Sequence, residues 1–154
     1  MKVLFLDIDG VLATLAWMRS IGALWDCAPI EQVDPTLCRR LERVLARTGA
    51  VIVVSSSWRG DANTPPDVIE SILHARGAPS ARVVGATPDP WTGSLRGHEI
   101  QRWLDEHPEV TRFAIVDDEG GMLHLTPRLA KTTLESGLLD EHVGRLVDLL
   151  GERE

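Results

Sequence analysis

A chain of 154 residues, 44% of them hydrophobic and 25% charged, suits one globular domain with a real core. A formal net charge of −7 excludes the broad basic footprint of a general nucleic-acid binder, leaving room only for a small local basic patch. Two cysteines without CxxC spacing exclude a disulfide framework, so Cys27 and Cys38 read as packed or indifferent thiols of a reducing, cytoplasmic protein.

Residues 2–6 predict a short, wholly apolar strand built on Val3-Leu4-Phe5-Leu6. This run is too short for the core of a signal peptide, and no later stretch reaches membrane-spanning length, so no membrane association is expected. The strand leads straight into Asp7-Ile8-Asp9-Gly10, two carboxylates two positions apart. Asp34-Pro35 then predicts a helix entry, with proline at the first helical position. Leu37, Leu41, Val44 and Leu45 recur at helical spacing up to Gly49, a C-terminal stop. The β-branched run AVIVV (50–54) predicts a second buried strand, which exits into Ser55-Ser56-Ser57. A helix over 66–76 ends at Gly77, and ARVVG (81–85) carries a weaker strand signal. NTPP (63–66) and TPDPWTG (87–93) read as loops. An amphipathic helix over 96–106 places Ile100, Trp103 and Leu104 on one face. RFAIV (112–116) predicts a fourth strand running into Asp117-Asp118, and RLAKT (128–132) a fifth. The last helix, 138–150, carries Val143, Leu146, Val147 and Leu150 on one side.

Strands alternating with helices predict a parallel sheet covered on both faces. Right-handed crossovers bring the C-terminal ends of parallel strands to one edge, where ligands of open α/β sheets bind. At that edge the sequence puts Asp7 and Asp9, the three serines, Asp117-Asp118, and Arg96 at the start of its helix. Clustered carboxylates repel unless a cation sits between them, and an all-oxygen donor set suits Mg2+. Hydroxyls and a guanidinium are donors suited to a tetrahedral oxyanion. Acids for metal beside donors for phosphate describe a phosphoryl-transfer site. Plainer readings exist for each part: an Asp-Gly turn, a serine helix cap, a surface arginine, an acidic helix cap. Lys131 is a rival to Arg96, although it follows the fourth strand.

The segments FLDIDGVL, VVSSSWR, RGHEI..WL and VDDE resemble the motifs of the haloacid dehalogenase (HAD) superfamily of Mg2+-dependent phosphatases. With KTTLESGL (131–138), the chain resembles the HAD domains of Swiss army knife RNA-repair proteins over nearly its whole length. The resemblance implies a three-layer, Rossmann-like α/β fold with a central, mostly parallel five-stranded sheet. Residues 1–154 would form a single domain, capless or with a minimal flap over 13–34. Asp7 would be the nucleophile that forms an aspartyl-phosphate, and Asp9 the general acid and then base, its carbonyl also holding Mg2+. Ser55 would bind the phosphoryl group, supported by Ser56. Arg96 would stand where the family usually has lysine, and Arg59 would be a second phosphate or substrate contact. Asp118 would ligate the metal directly, while Asp117 would ligate through water or position Arg96. The implied substrate is a phosphomonoester, either a nucleic acid end or nucleotide or a small phosphometabolite. A non-catalytic binding module in RNA repair is the remaining reading. Adjacent acids after the first strand and an aspartate after the third, as a receiver domain needs, are missing from this sequence.

Of the five tryptophans, Trp103 reads as core and Trp58 as packing beneath the site. Trp17, Trp25 and Trp91 read as loop residues that close a hydrophobic flap or stack on bases. The five histidines show no ligand spacing, and His98 reads as a surface residue.

Overall fold

The apolar runs pair side by side in a computed structural model that describes residues 1–60, 64–88 and 93–154. The strands are β1 (Lys2–Leu6), β2 (Val51–Val54), β3 (Val83–Ala86), β4 (Arg112–Asp117) and β5 (Leu129–Lys131). Among the described residues they form one all-parallel sheet in the order β3-β2-β1-β4-β5. Strand β1 lies in the middle, with Phe5 beside Val53 on one side and Ile115 on the other. Its residues Val3 to Leu6 are all fully buried, which is why the run shows no polar alternation.

The helices are α1 (Leu15–Ile21), α2 (Pro29–Gln32), α3 (Pro35–Thr48), α4 (Pro66–Arg76), α5 (Arg96–Asp105) and α6 (Asp140–Leu150). Leu4 and Leu6 face a large apolar layer that includes Leu41 and Leu45 of α3, Leu73 of α4 and Leu146 of α6. Val3 and Phe5 face the opposite layer, formed by Ile100 and Trp103 of α5 with Met122 and Leu125. The edge of Trp103 meets the Phe5 ring at 5.5 Å between centroids. The result is three layers: the covered parallel sheet expected from the alternation, in the Rossmann-like α/β arrangement that the resemblance implies. Asp34 caps α3 by accepting from the Thr36 N–H at 2.8 Å, and Gly49 ends it with φ 71°.

Three local outcomes differ from the sequence expectations. The last helix starts at Asp140, because the Leu138 N–H is held by the Val11 carbonyl at 2.9 Å. The third strand is shifted to Val83–Ala86. Trp17 lies in a helix, because Thr14 caps α1 and Gly22 closes it. Its indole N–H donates to the Glu31 carbonyl at 2.8 Å, and the Arg76 guanidinium lies 5.8 Å from the ring. Trp17 thus ties α1 to α2. Residues 61–63 and 89–92, Trp91 among them, lie outside the described residues. Among the described residues no helix is long and apolar enough to cross a membrane.

Candidate active site

Each acidic group arrives at the C-terminal edge on the end of a strand. The Asp7 N–H extends the β1–β4 ladder to the Val116 carbonyl at 3.1 Å, which sets Asp7 beside Asp117. The chain then turns sharply, with Val11, Leu12 and Ala13 all donating to the Ile8 carbonyl. Gly10 sits in this turn with φ +79°, and a Cβ there would run into the Asp118 side chain. Glycine therefore allows Asp118 to lie against the Asp7–Gly10 backbone. Thr132, at the exit of β5, braces both acidic loops. Its hydroxyl donates to the Gly10 carbonyl at 2.6 Å and its N–H to the Asp117 carbonyl at 3.0 Å.

Asp7, Asp117 and Asp118 each present a carboxylate oxygen within 4.8 Å of the other two. Arg96 reaches them from α5, with Nη1 3.8 Å from Asp117 Oδ2 and 3.4 Å from Ser55 Oγ. Its approach depends on Gly97, whose N–H donates to the Gly121 carbonyl at 3.0 Å. A side chain at Gly97 would collide with the Met122 backbone. Lys131 is exposed, so the cation facing the acids is Arg96. Ser55 is buried, and its N–H donates to the Leu6 carbonyl at 2.9 Å. The Asp9 carboxylate is not one of these three but lies close enough to feel the charge of Asp118, and its Oδ1 accepts from the Trp58 indole at 3.2 Å. Trp58 thus flanks the site instead of merely packing under it.

Glu99 belongs to the RGHEI segment, three residues after Arg96, but the sequence assigns it no role. It is 3% exposed. It accepts from Arg59 Nη2 at 2.8 Å and from Ser94 Oγ at 3.2 Å, and lies 3.9 Å from Arg96 Nε. Arg59 Nη1 also donates to the Ser56 carbonyl at 2.8 Å, and Ser56 itself is buried. The Arg59 side chain, expected to meet substrate, is 5% exposed and ion-paired to Glu99. A carboxylate one helical turn after a site arginine was the available signal. A cleft of about 300 Å³ opens beside these groups, with Ser57, Arg59, Ser94, Arg96 and Glu119 in its walls. His98 is not idle, since its Nδ1 accepts from the Leu95 N–H at 3.0 Å and caps α5.

Residues 3–143 match the family described as the HAD domain in Swiss Army Knife RNA repair proteins. The chain belongs to this family. No curated protein and no solved structure matches it. HAD proteins typically use a divalent metal, and the electrostatics of this HAD domain bear on whether its acids suit one. Burial, then the charge of Asp117, raises the Asp7 carboxyl to about 9, against the pull of Arg96. Burial likewise raises Asp117 to about 6, although the Glu119 N–H and Arg96 hold it down. Asp9 is raised mainly by burial, with the Trp58 N–H working against the rise. Asp117 Oδ2 is buried without a hydrogen-bond partner among the described residues. Buried acids that resist ionising and one orphaned oxygen, with Arg96 alongside, together fit a hard divalent cation.

Proposed function

We propose that this HAD domain is a Mg2+-dependent phosphohydrolase that cleaves phosphomonoesters through an aspartyl-phosphate on Asp7. The observation that carries the reading is the meeting of Asp7, Asp117 and Asp118 within 4.8 Å, beside Arg96 and Ser55. Asp7, Asp118 and the Asp9 carbonyl would hold Mg2+, with Asp117 ligating through water or orienting Arg96. The ion would supply positive charge to the acids and to the phosphoryl oxygens.

The Asp7 carboxylate attacks phosphorus as the ester bond breaks, and Asp9 gives its proton to the leaving oxygen. In the second half, Asp9 takes a proton from water as the water oxygen bonds phosphorus. The Asp7–phosphorus bond then breaks, releasing inorganic phosphate and restoring the Asp7 carboxylate. Arg96 and the Ser55 hydroxyl donate to the phosphoryl oxygens. Ser56 and Arg59 support them from behind, Arg59 also lining the cleft beside Arg96.

We favour a phosphorylated nucleic acid end or nucleotide as substrate, since the matched family is described by RNA repair proteins. On this reading residues 1–154 act as one unit, and 13–34 form a small flap too short for a folded cap. The net charge of −7 suits contact with a chain end better than with a long duplex. The thiols of Cys27 and Cys38 are free, which agrees with a cytoplasmic setting.

Phosphate release from p-nitrophenyl phosphate, with and without Mg2+, tests the chemistry. Full activity in Asp7→Asn rejects it, and Mg2+ binding without any turnover would favour a non-catalytic module. A panel of phosphorylated oligonucleotides, nucleotides and sugar phosphates separates nucleic acid ends from small phosphometabolites.

A further inference from the structure

We propose that Trp58 is a positioning residue that aims one oxygen of Asp9 at the leaving group, an inference that rests on the phosphohydrolase reading. The indole of Trp58 donates to Asp9 Oδ1 at 3.2 Å. An indole N–H donates and never accepts. It therefore holds Oδ1 as an acceptor throughout the cycle, and because the carbonyl oxygen of a protonated carboxyl is the better acceptor, the contact favours the proton on Oδ2. The two oxygens of a free carboxyl are equivalent, and this contact removes the equivalence.

The donor is itself held still. The Trp58 backbone N–H donates to Ser56 Oγ at 3.3 Å, and the Thr64 hydroxyl donates to the Trp58 carbonyl at 3.0 Å. The ring packs against the larger apolar layer. Arg59, the next residue, is clamped to the Ser56 carbonyl through both its N–H at 3.1 Å and Nη1 at 2.8 Å. A turn pinned at this many points gives the indole little freedom, so Asp9 inherits a fixed orientation. The proton moves from Oδ2 to the leaving oxygen as the phosphorus–oxygen bond breaks, and returns to Oδ2 from water in the second half.

The consequence is specific to leaving groups that need a proton. p-Nitrophenolate departs without one, whereas an alkoxide does not. In Trp58→Phe the ring and its packing stay while the N–H is lost. We expect kcat/KM for an alkyl phosphate to fall about tenfold, a part of what general acid catalysis supplies. For p-nitrophenyl phosphate the fall is expected to stay below about threefold, because kcat/KM covers only the steps up to leaving-group departure. The ratio of the two values cancels any loss of folded protein, since both esters report the same enzyme. Should Trp58→Phe fail to fold, Thr64→Val loosens the same turn while keeping the indole, and the ratio should move the same way by about twofold. An unchanged ratio in whichever variant folds overturns the role of Trp58. If the native chain hydrolyses neither ester, the phosphohydrolase reading itself fails and this proposal falls with it.

Discussion

Raising the pH in EDTA should destabilise this domain, and Mg2+ should reverse the loss. In the unfolded chain Asp7 and Asp117 titrate near 3.8, whereas in the folded chain burial raises them to about 9 and about 6. Between these values the unfolded state binds fewer protons, so stability falls as pH rises. The contribution is fully present below about pH 4, and is lost as pH climbs through 6 and on toward 9. Asp7 and Asp117 share one buried site, so the loss belongs to the pair, and it is on the order of a few kcal/mol. In a chain of this length each kcal/mol moves Tm by roughly 2–4 °C. Mg2+ at a hundred times its Kd adds back about 2.7 kcal/mol. It should do so mainly at high pH, because it binds the ionised carboxylates. Circular dichroism melts in EDTA and in Mg2+, from pH 5 to 8.5, measure both effects. Asp7→Asn removes one titrating group and should flatten the EDTA slope. The reasoning is refuted if native Tm in EDTA does not fall relative to Asp7→Asn, or if Mg2+ stabilises equally at pH 5 and 8.5.

Asp7→Asn should lower Mg2+-dependent phosphate release by roughly 10³-fold or more while the chain still melts cooperatively. Gly10→Ala forces a side chain into φ +79° and into Asp118, so denaturant melts should show a loss of about 1–3 kcal/mol. Titration calorimetry should show weaker Mg2+ binding by the same variant. Glu99→Ala removes the carboxylate ion-paired to the buried Arg59 guanidinium, and should destabilise by about 3 kcal/mol in urea titration. If Glu99→Ala matches the native midpoint, the Glu99–Arg59 pair does not hold the site together.

Much of the architecture could be read locally. Apolar runs such as Val3–Leu6 and Val51–Val54 announce buried strands, because a strand covered on both faces has no polar face to show. Asp7, Ser55 and Asp117 could be placed at one edge, because parallel strands joined by right-handed crossovers all end on the same side. The short helix around Trp17 escaped, because its cap at Thr14 and its stop at Gly22 bracket only seven residues, too few for a clear helical period.

What the sequence determined by itself was the order of layers and the set of groups delivered to the sheet edge, since periodicity and chain order are properties of neighbouring residues. Only the tertiary structure decided which of those groups touch. It put Arg96 and not Lys131 against Asp117, buried Glu99 between two arginines, and hung the Trp58 indole on Asp9. Those choices are matters of a few ångströms between separate loops. They depend on how closely backbones such as those at Gly10 and Gly97 can approach their neighbours, which no pattern along the chain records.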